Sequence, residues 1–185
     1  MGYSEKSTGA VSFNASGNFD QDKGTLEMWV KLGWDPNEDT QTRTFVRIKS
    51  GHNAHNGLLL FRYGPRRTGL AWMSYGPAGT TSADISGWKR DTWHHLAVTW
   101  DKDADVKQIF LDGVFVSKDK MDDIPAPDVI YVGCVTARAS KARLAGALID
   151  ELRITDGVLW KGRKKGEKVF DPPGKPYAAP STSGK

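Results

Sequence analysis

The feature that most limits how this chain can fold is a series of short runs in which apolar and polar residues alternate. In TLEMWVKLGW (25–34), every even-numbered residue from Leu26 to Leu32 is apolar. Side chains of a strand point alternately to two faces, so this run presents one apolar face to a core. Helical periodicity is nearly absent from the rest of the sequence. The pattern therefore predicts an all-β protein.

Similar β-rich runs recur along the chain between turn residues. They are AVSFN (10–14), RTFVRIK (43–49), GLLLFRYG (57–64), GLAWMSYG (69–76), TWHHLAVTWD (92–101), KQIFLDGVFVSK (107–118), DVIYVGCV (128–135) and GALIDELRI (146–154). The pair Asp112-Gly113 is a strong hairpin signal, because both turn positions need a positive φ. About ten to twelve short strands in one domain favour an antiparallel sandwich of two sheets.

Composition divides the 185 residues into three parts. They are an N-terminal extension (1–8), a β-sandwich (9–160) and a basic, Pro-rich C-terminal arm (161–185), which we expect to be extended and poorly packed. The first residues have neither the basic start nor the apolar run of a signal peptide, and no run is long enough to span a membrane. The single Cys134 excludes an intramolecular disulfide, and in YVGCV we expect it to be buried.

The net charge of +4 is mild and is concentrated in RASKAR (138–143) and KGRKKGEK (161–168). A nucleic-acid interface usually needs a broader basic face, so we expect no specific nucleic-acid partner. Either a solvated surface or a docking patch for an acidic partner is consistent with these two runs.

The run GALIDELRI poses a question about Asp150. In a regular strand, Leu148, Leu152 and Ile154 share one face and are the obvious core residues. Asp150 then falls on the same face, where an ionised carboxylate is unfavourable unless it is paired, hydrogen-bonded or bound to a metal ion.

Five of these runs, in their order, carry a resemblance to a known family. AVSFNASGNFD, GTLEMWVKL, TWHHLAVTWD, IFLDGVFV and GALIDELRI together resemble the laminin-G-like, concanavalin A-like lectin and glucanase superfamily over residues 9–160. The resemblance implies a jelly-roll β-sandwich. The stretch from IDELRIT to FDPPGKPY is similar to laminin-G-like domains of bacteriophage structural proteins.

The resemblance also implies a structural calcium ion at the rim of the sandwich. Asp150 would be a ligand, and the loop after the first strand would supply Asn14, Asn18 and Asp20 if the first and last strands pair. Calcium takes six to eight oxygen ligands, which these side chains offer. The alternative is that Asp150 accepts hydrogen bonds from backbone amides, an arginine or a histidine.

No motif indicates catalysis, and we predict that the chain is not an enzyme. Glycosidases use two carboxylates about 5–10 Å apart, but Asp150 and Glu151 are adjacent and point to opposite faces. His94 and His95 are adjacent for the same reason. His52 and His55, with neighbouring asparagines, could bind a metal ion or a sugar, although a solvated loop is the favoured reading. A serine-nucleophile elbow and a zinc-binding helix motif are both absent.

Two non-catalytic roles are considered, the first from the resemblance and the second from the missing signal peptide, the polar arm and its basic run. The first is glycan binding, for which the candidate contacts are Trp34, Trp88, Trp72 and Tyr75; Trp34 and Trp88 lie beside turn residues and are expected to be exposed, whereas Trp72 favours packing. The second is assembly, with partner docking through Trp160, Arg163, Lys164 and Lys165.

We therefore predict a surface or decoration protein of a bacteriophage virion that also binds glycans. The alternative is a carbohydrate-binding module of a larger secreted enzyme or adhesin. The expected location is the virion surface or the extracellular space. Whether the chain forms a homo-oligomer stays open.

Overall fold

The computed structural model describes residues 11–51, 57–64, 69–75, 79–134 and 143–174. These residues form eleven strands: β1 (Val11–Asn14), β2 (Lys23–Leu32), β3 (Arg43–Lys49), β4 (Gly57–Arg62), β5 (Gly69–Ser74), β6 (Thr80–Asp84), β7 (Trp93–Asp101), β8 (Val106–Leu111), β9 (Val114–Asp119), β10 (Val129–Val132) and β11 (Ala147–Asp156). None of the residues described belongs to a helix long and apolar enough to cross a membrane.

The strands form two antiparallel sheets. The six-stranded sheet has the order β1-β10-β3-β4-β5-β6, and the five-stranded sheet has the order β11-β2-β7-β8-β9. The predicted all-β, two-sheet jelly-roll sandwich is confirmed. The expected pairing of the first and last strands is wrong, because β1 pairs with β10 and β11 pairs with β2.

The core lies between the sheets and follows the predicted alternation. Leu26, Met28, Val30 and Leu32 of β2 are all fully buried, as is Cys134. The hairpin prediction is also confirmed, because Asp112 and Gly113 join β8 to β9 with φ angles of 50° and 79°.

Strand β6 was not expected, because its sequence TTSAD is polar and small. Tertiary contact defines it: Thr81 and Ala83 are buried, and Thr81 Oγ1 lies 2.7 Å from Ser117 Oγ of β9. An edge strand of this kind carries too little apolar area to be recognised from its sequence.

A β-bulge in β11 answers the question about Asp150. Two residues, Glu151 and Leu152, lie opposite Met28, and Glu151 has a φ of 52°. The extra residue reverses the alternation. The core-facing residues are therefore Ala147, Ile149, Leu152 and Ile154. The prediction that Leu148 and Asp150 face the core is wrong.

The described part of the C-terminal arm is packed, contrary to expectation. After β11, residues 157–174, here called the strap, cross the outer face of the five-stranded sheet. Trp160 and Phe170 stack with ring centroids 3.7 Å apart and cover Ala97, Phe110 and Phe115. The predicted domain boundary at residue 160 stays a prediction.

Candidate functional site

The two outer faces of the sandwich differ in what covers them. The strap closes the centre of the five-stranded face, where Phe110 and Phe115 are almost completely buried. On the six-stranded sheet, Leu59, Phe61 and Ala71 are also buried, but Tyr63 beside them is 58% exposed.

The outer side of the six-stranded sheet carries a small apolar cluster with one exposed ring, which we call the tyrosine face. Odd-numbered residues of β4 and β5 point outward, so Leu59, Phe61 and Ala71 form a cluster with Met73 and Tyr75. Tyr63 follows β4 on the same side and is 58% exposed. Its ring meets the Phe61 ring edge to face at 5.6 Å, which holds it beside the cluster.

Polar groups border the tyrosine face. A cavity of about 350 Å³ is lined by Phe61, Tyr63, Met73, Thr80, Ser82 and Asp84, among others. Asp84 is oriented by Ser86, whose backbone N–H and Oγ donate to its carboxylate at 2.9 Å each. An exposed aromatic ring beside hydroxyl and carboxylate groups offers both an apolar surface and hydrogen-bonding partners to one ligand.

A second, larger cleft lies at the open edge of the sandwich, between β1, β10 and β11. Its volume is about 740 Å³, and its lining includes the exposed side chains of Val11 and Leu148. Lys31, Arg90 and Asp91 lie at its border. Among the described lining residues, Phe13 is the only aromatic one. The edge cleft therefore suits an aliphatic ligand better than a sugar ring.

The candidate tryptophans are not surface groups. Trp34 is 6% exposed; its Nε1 donates to the Ala145 carbonyl at 2.8 Å, and the Arg43 and Arg62 guanidiniums lie over its ring. Trp88 is 8% exposed and stacks on His94 at 4.1 Å. The expected exposure of Trp34 and Trp88 is wrong.

The other two candidate glycan contacts lie on the six-stranded sheet. Trp72 is fully buried, as its packing reading predicted. Tyr75 is half-buried, belongs to the tyrosine face and lies under the Arg47 guanidinium at 4.5 Å. Sequence reasoning missed Phe61, Tyr63, Ser82 and Asp84. In GLLLFRY, alternate residues point away from the core, and this alternation was the available sequence signal for Phe61 and Tyr63.

Three of the four expected calcium ligands make local hydrogen bonds through their side chains. Asp150 Oδ1 accepts from the Glu151 amide at 2.9 Å, which is the backbone alternative raised by the sequence. Asn18 donates to the Asn14 carbonyl, and Asp20 accepts from the Asp22 amide. Asn18 lines a cavity with Thr155 and Asp156, whereas Asp150 lines the edge cleft.

No group of three or more acidic, histidine or cysteine residues within the described ranges could hold a metal ion. The donor set thus fits calcium poorly, and the ion stays a prediction from resemblance. His52, His55 and their neighbouring asparagines lie outside the described residues.

The basic end of the strap is a well-ordered turn. The Glu167 carboxylate accepts from the backbone amides of Arg163 and Lys164 at 3.0 and 3.1 Å. These bonds hold the pKa of Glu167 below its ordinary value. Arg163, Lys164 and Lys165 are exposed, whereas Trp160 packs on the chain's own Phe170. Of the four predicted docking residues, three are therefore accessible.

A buried ionic network lies beneath the strap. Glu27, only 2% exposed, accepts from His95 Nε2 at 3.1 Å and from Arg153 Nε at 2.6 Å. Burial opposes ionisation of Glu27, but these hydrogen bonds outweigh it and hold the pKa below its ordinary value. Glu27 and His95 are buried, whereas the Arg153 side chain is 53% exposed, and the network contains a single carboxylate, so it has the character of a structural ion cluster.

Comparisons with known proteins agree with this architecture. The family model Laminin_G_3, described as the Concanavalin A-like lectin/glucanases superfamily, matches residues 5–161. No curated protein matches the sequence.

Similar solved structures share the fold at low identity. NanB sialidase from Streptococcus pneumoniae aligns with a TM-score of 0.63 and 15% identity, over 80% of this chain and 25% of its own. The botulinum neurotoxin serotype D binding domain gives 0.62 and 14%, over 83% and 38%. The CBM40 of Ruminococcus gnavus IT-sialidase, bound to alpha2,3 sialyllactose, gives 0.57 and 12%, over 75% and 78%. The chain thus spans a quarter to two fifths of the first two proteins.

Proposed function

This chain belongs to the concanavalin A-like lectin/glucanases superfamily, and we propose that it is a non-catalytic glycan-binding domain whose ligand lies on the tyrosine face. The observation that carries the proposal is the exposed Tyr63 ring beside Ser82 and Asp84, over a cavity of about 350 Å³. Ligand pockets typically measure about 300–1,000 Å³, so one or two sugar units match this space. The CBM40 with bound sialyllactose supports the ligand class by analogy of fold.

Two kinds of contact would hold the sugar: an aromatic ring and the polar groups that border it. The exposed Tyr63 ring meets the apolar face of a sugar, with the buried Phe61 ring behind it, and the Asp84 carboxylate accepts hydrogen bonds from the sugar's hydroxyl groups. Asp84 is the only carboxylate among the described residues that line this cavity. Hydrolysis of a glycosidic bond by the usual route needs a second carboxyl group on the other side of that bond. The surface therefore fits recognition without cleavage.

The test is glycan-array binding by the purified protein and three variants. Tyr63→Ala should abolish binding, whereas Tyr63→Phe should retain it, because the ring supplies the contact. Leu148→Ala is the matched control in the edge cleft and should bind normally. Loss of binding in Leu148→Ala with retention in Tyr63→Ala would move the site to the edge cleft, and a folded protein that binds no glycan would contradict the proposal.

The same array in the presence of a chelator tests the calcium prediction. Because Asn18, Asp20 and Asp150 already make local hydrogen bonds, we expect no change in binding and no change in melting temperature. A chelator-dependent loss of either would restore the metal site.

A second role, assembly, is favoured by the basic turn of the strap. Arg163, Lys164 and Lys165 project from an ordered turn, and no ion pair to them is found within the described residues. We propose that this turn docks on an acidic protein surface, either of a bacteriophage virion or of a larger secreted enzyme or adhesin. This chain aligns with only 25% of NanB, so a domain of this fold occurs there within a larger enzyme, which supports the second setting.

The docking role is tested by retention on immobilised polyglutamate. The triple variant Arg163→Gln/Lys164→Gln/Lys165→Gln should lose retention. A control that removes three exposed charges elsewhere, Lys23→Gln/Lys89→Gln/Lys118→Gln, should keep it. Equal loss in both variants would show a general charge effect and would contradict a dedicated turn.

A further inference from the structure

The sheet holds the strap through hydrogen bonds to the strap's backbone. These bonds do not require that the strap and the sheet belong to the same chain. Gln108 Nε2 donates to the Gly162 carbonyl at 2.8 Å, and its Oε1 accepts from the Gly162 amide at 3.3 Å. A Cβ at Gly162 would lie 2.1 Å from the Phe115 ring. The sheet therefore binds the Gly162 peptide group at a position that has no room for a side chain.

The strap also extends the five-stranded sheet at its β9 edge. Phe115 donates to the Glu167 carbonyl at 2.8 Å, and Val169 donates to the Gly113 carbonyl at 2.9 Å, which pairs Val114 with Lys168 in antiparallel register. Strand addition of this kind is a common way in which one chain binds a segment of another.

The covered face cannot remain open in water. The apolar rings of Phe110 and Phe115 lie under Trp160 and Phe170, and the buried His95 lies beside them. Exposed apolar surface of this kind drives association, so some strap must occupy the face.

The strap is joined to the sandwich by a hinge of favourable geometry. Gly157 has a φ of 102°, and a Cβ there would meet no atom within 4 Å. Two hydrogen bonds of Thr25 Oγ1, to the Gly157 carbonyl and from the Leu159 amide, fix the present path. A change of backbone direction at Gly157 redirects the strap once these two hydrogen bonds are broken.

From these contacts we propose that the strap is an exchangeable element: the outer face of the five-stranded sheet is a docking groove for the strap of a second copy of this chain. Two copies that exchange straps keep the contacts of Gln108, Gly113 and Phe115 with the strap, so the exchanged dimer differs from the monomer mainly at Gly157 and its Thr25 hydrogen bonds. Concentration then selects between the two forms. This inference is independent of glycan binding.

The test uses disulfides at the Val114–Lys168 pair, in a Cys134→Ser background. The flanking hydrogen bonds make it a non-hydrogen-bonded antiparallel pair, in which side chains approach closely enough for a disulfide. The double variant Val114→Cys/Lys168→Cys should close within one chain at low concentration. If this variant fails to close, the strap does not dock as described and the proposal falls.

The decisive measurement mixes the two single variants, refolds them together at high concentration and oxidises them. A strap docked on the other copy holds Val114→Cys beside Lys168→Cys and joins them more often than random collision does. We expect a heterodimer band on a non-reducing gel several-fold stronger than that from Val114→Cys with Lys89→Cys, which reports random collision. Closure in the double variant together with a mixed band no stronger than this control would overturn exchange and leave a strictly intramolecular strap.

Discussion

Lys107 Nζ lies 2.8 Å from Ser74 Oγ, so a fully buried lysine on β8 joins the five-stranded sheet to β5 of the other sheet. Ser74 in turn donates to Asp122 at 2.6 Å, and Lys107 also donates to the Lys120 carbonyl. Burial lowers the pKa of Lys107, and the nearby Asp122 only partly opposes this. The triad of Lys107, Ser74 and Asp122 therefore joins the two sheets through hydrogen bonds.

Lys107→Met should destabilise the protein by about 3–5 kcal/mol, because it leaves Asp122 buried without its cation. Adding Asp122→Asn should recover part of the loss. Urea denaturation measures both effects. Lys102→Met, which removes an exposed lysine, should leave the unfolding midpoint nearly unchanged. A Lys107 variant as stable as this control would show that the triad contributes nothing.

The Glu27 network should make stability depend on pH in acid. Since the folded-state pKa of Glu27 is depressed, its contribution is complete above the unfolded pKa of about 4.3 and is lost as pH falls through the folded value. The Glu27→Gln variant should be less stable at pH 7, and its stability should fall less steeply as the pH is lowered. Denaturation midpoints between about pH 7 and pH 3 measure this. The exposed Glu38→Gln should parallel the unmodified protein, and identical acid limbs for both variants would contradict the assignment.

The bulge predicts which single-residue deletion β11 tolerates. Deleting Glu151 removes the extra residue and keeps Leu152 and Ile154 facing the core, so the protein should fold. Deleting Arg153 shifts Ile154 to the outer face and should prevent stable folding. Circular dichroism and thermal melting compare the two. Equal stability of the two deletions would mean that the register is not fixed by the core face.

Trp34 should affect stability and leave binding unchanged. Trp34→Ala removes a buried ring that contacts Arg43 and Arg62, and its cost should be about 3–5 kcal/mol. Glycan binding by the folded fraction should be unaffected, which is the reverse of the Tyr63→Ala result. A stable Trp34→Ala protein that has lost binding would return Trp34 to the ligand surface.

Gly162→Ala should loosen the strap, because its Cβ would overlap the Phe115 ring. Overpacking of this kind costs about 1–3 kcal/mol. Limited proteolysis should cleave the strap faster in this variant, with the sandwich body still intact. Gly87→Ala adds a Cβ in open space and is the matched control. Unchanged cleavage in Gly162→Ala would mean that the strap does not fit closely at this point.

Local pattern predicted most of the fold but little of the site. The alternation of β2 identified its core residues correctly, because the period of a strand is fixed by backbone geometry. The same rule failed in β11, because a bulge adds one residue without a sequence signal that a pattern can detect. Trp34 and Trp88 were assigned to the surface from their turn neighbours, whereas contacts with the side chains of Arg62 and His94 cover their rings.

The sequence alone determined that this chain folds into a two-sheet sandwich, because apolar alternation and turn residues act over a few positions at a time. Only the tertiary structure decided which outer face is closed, which aromatic ring is exposed and where Asp150 points. Those outcomes depend on contacts between residues far apart in the chain, such as Gln108 with Gly162 and Trp34 with Ala145. A local pattern carries no information about such contacts, since the free energy that selects them arises only when both surfaces are already formed.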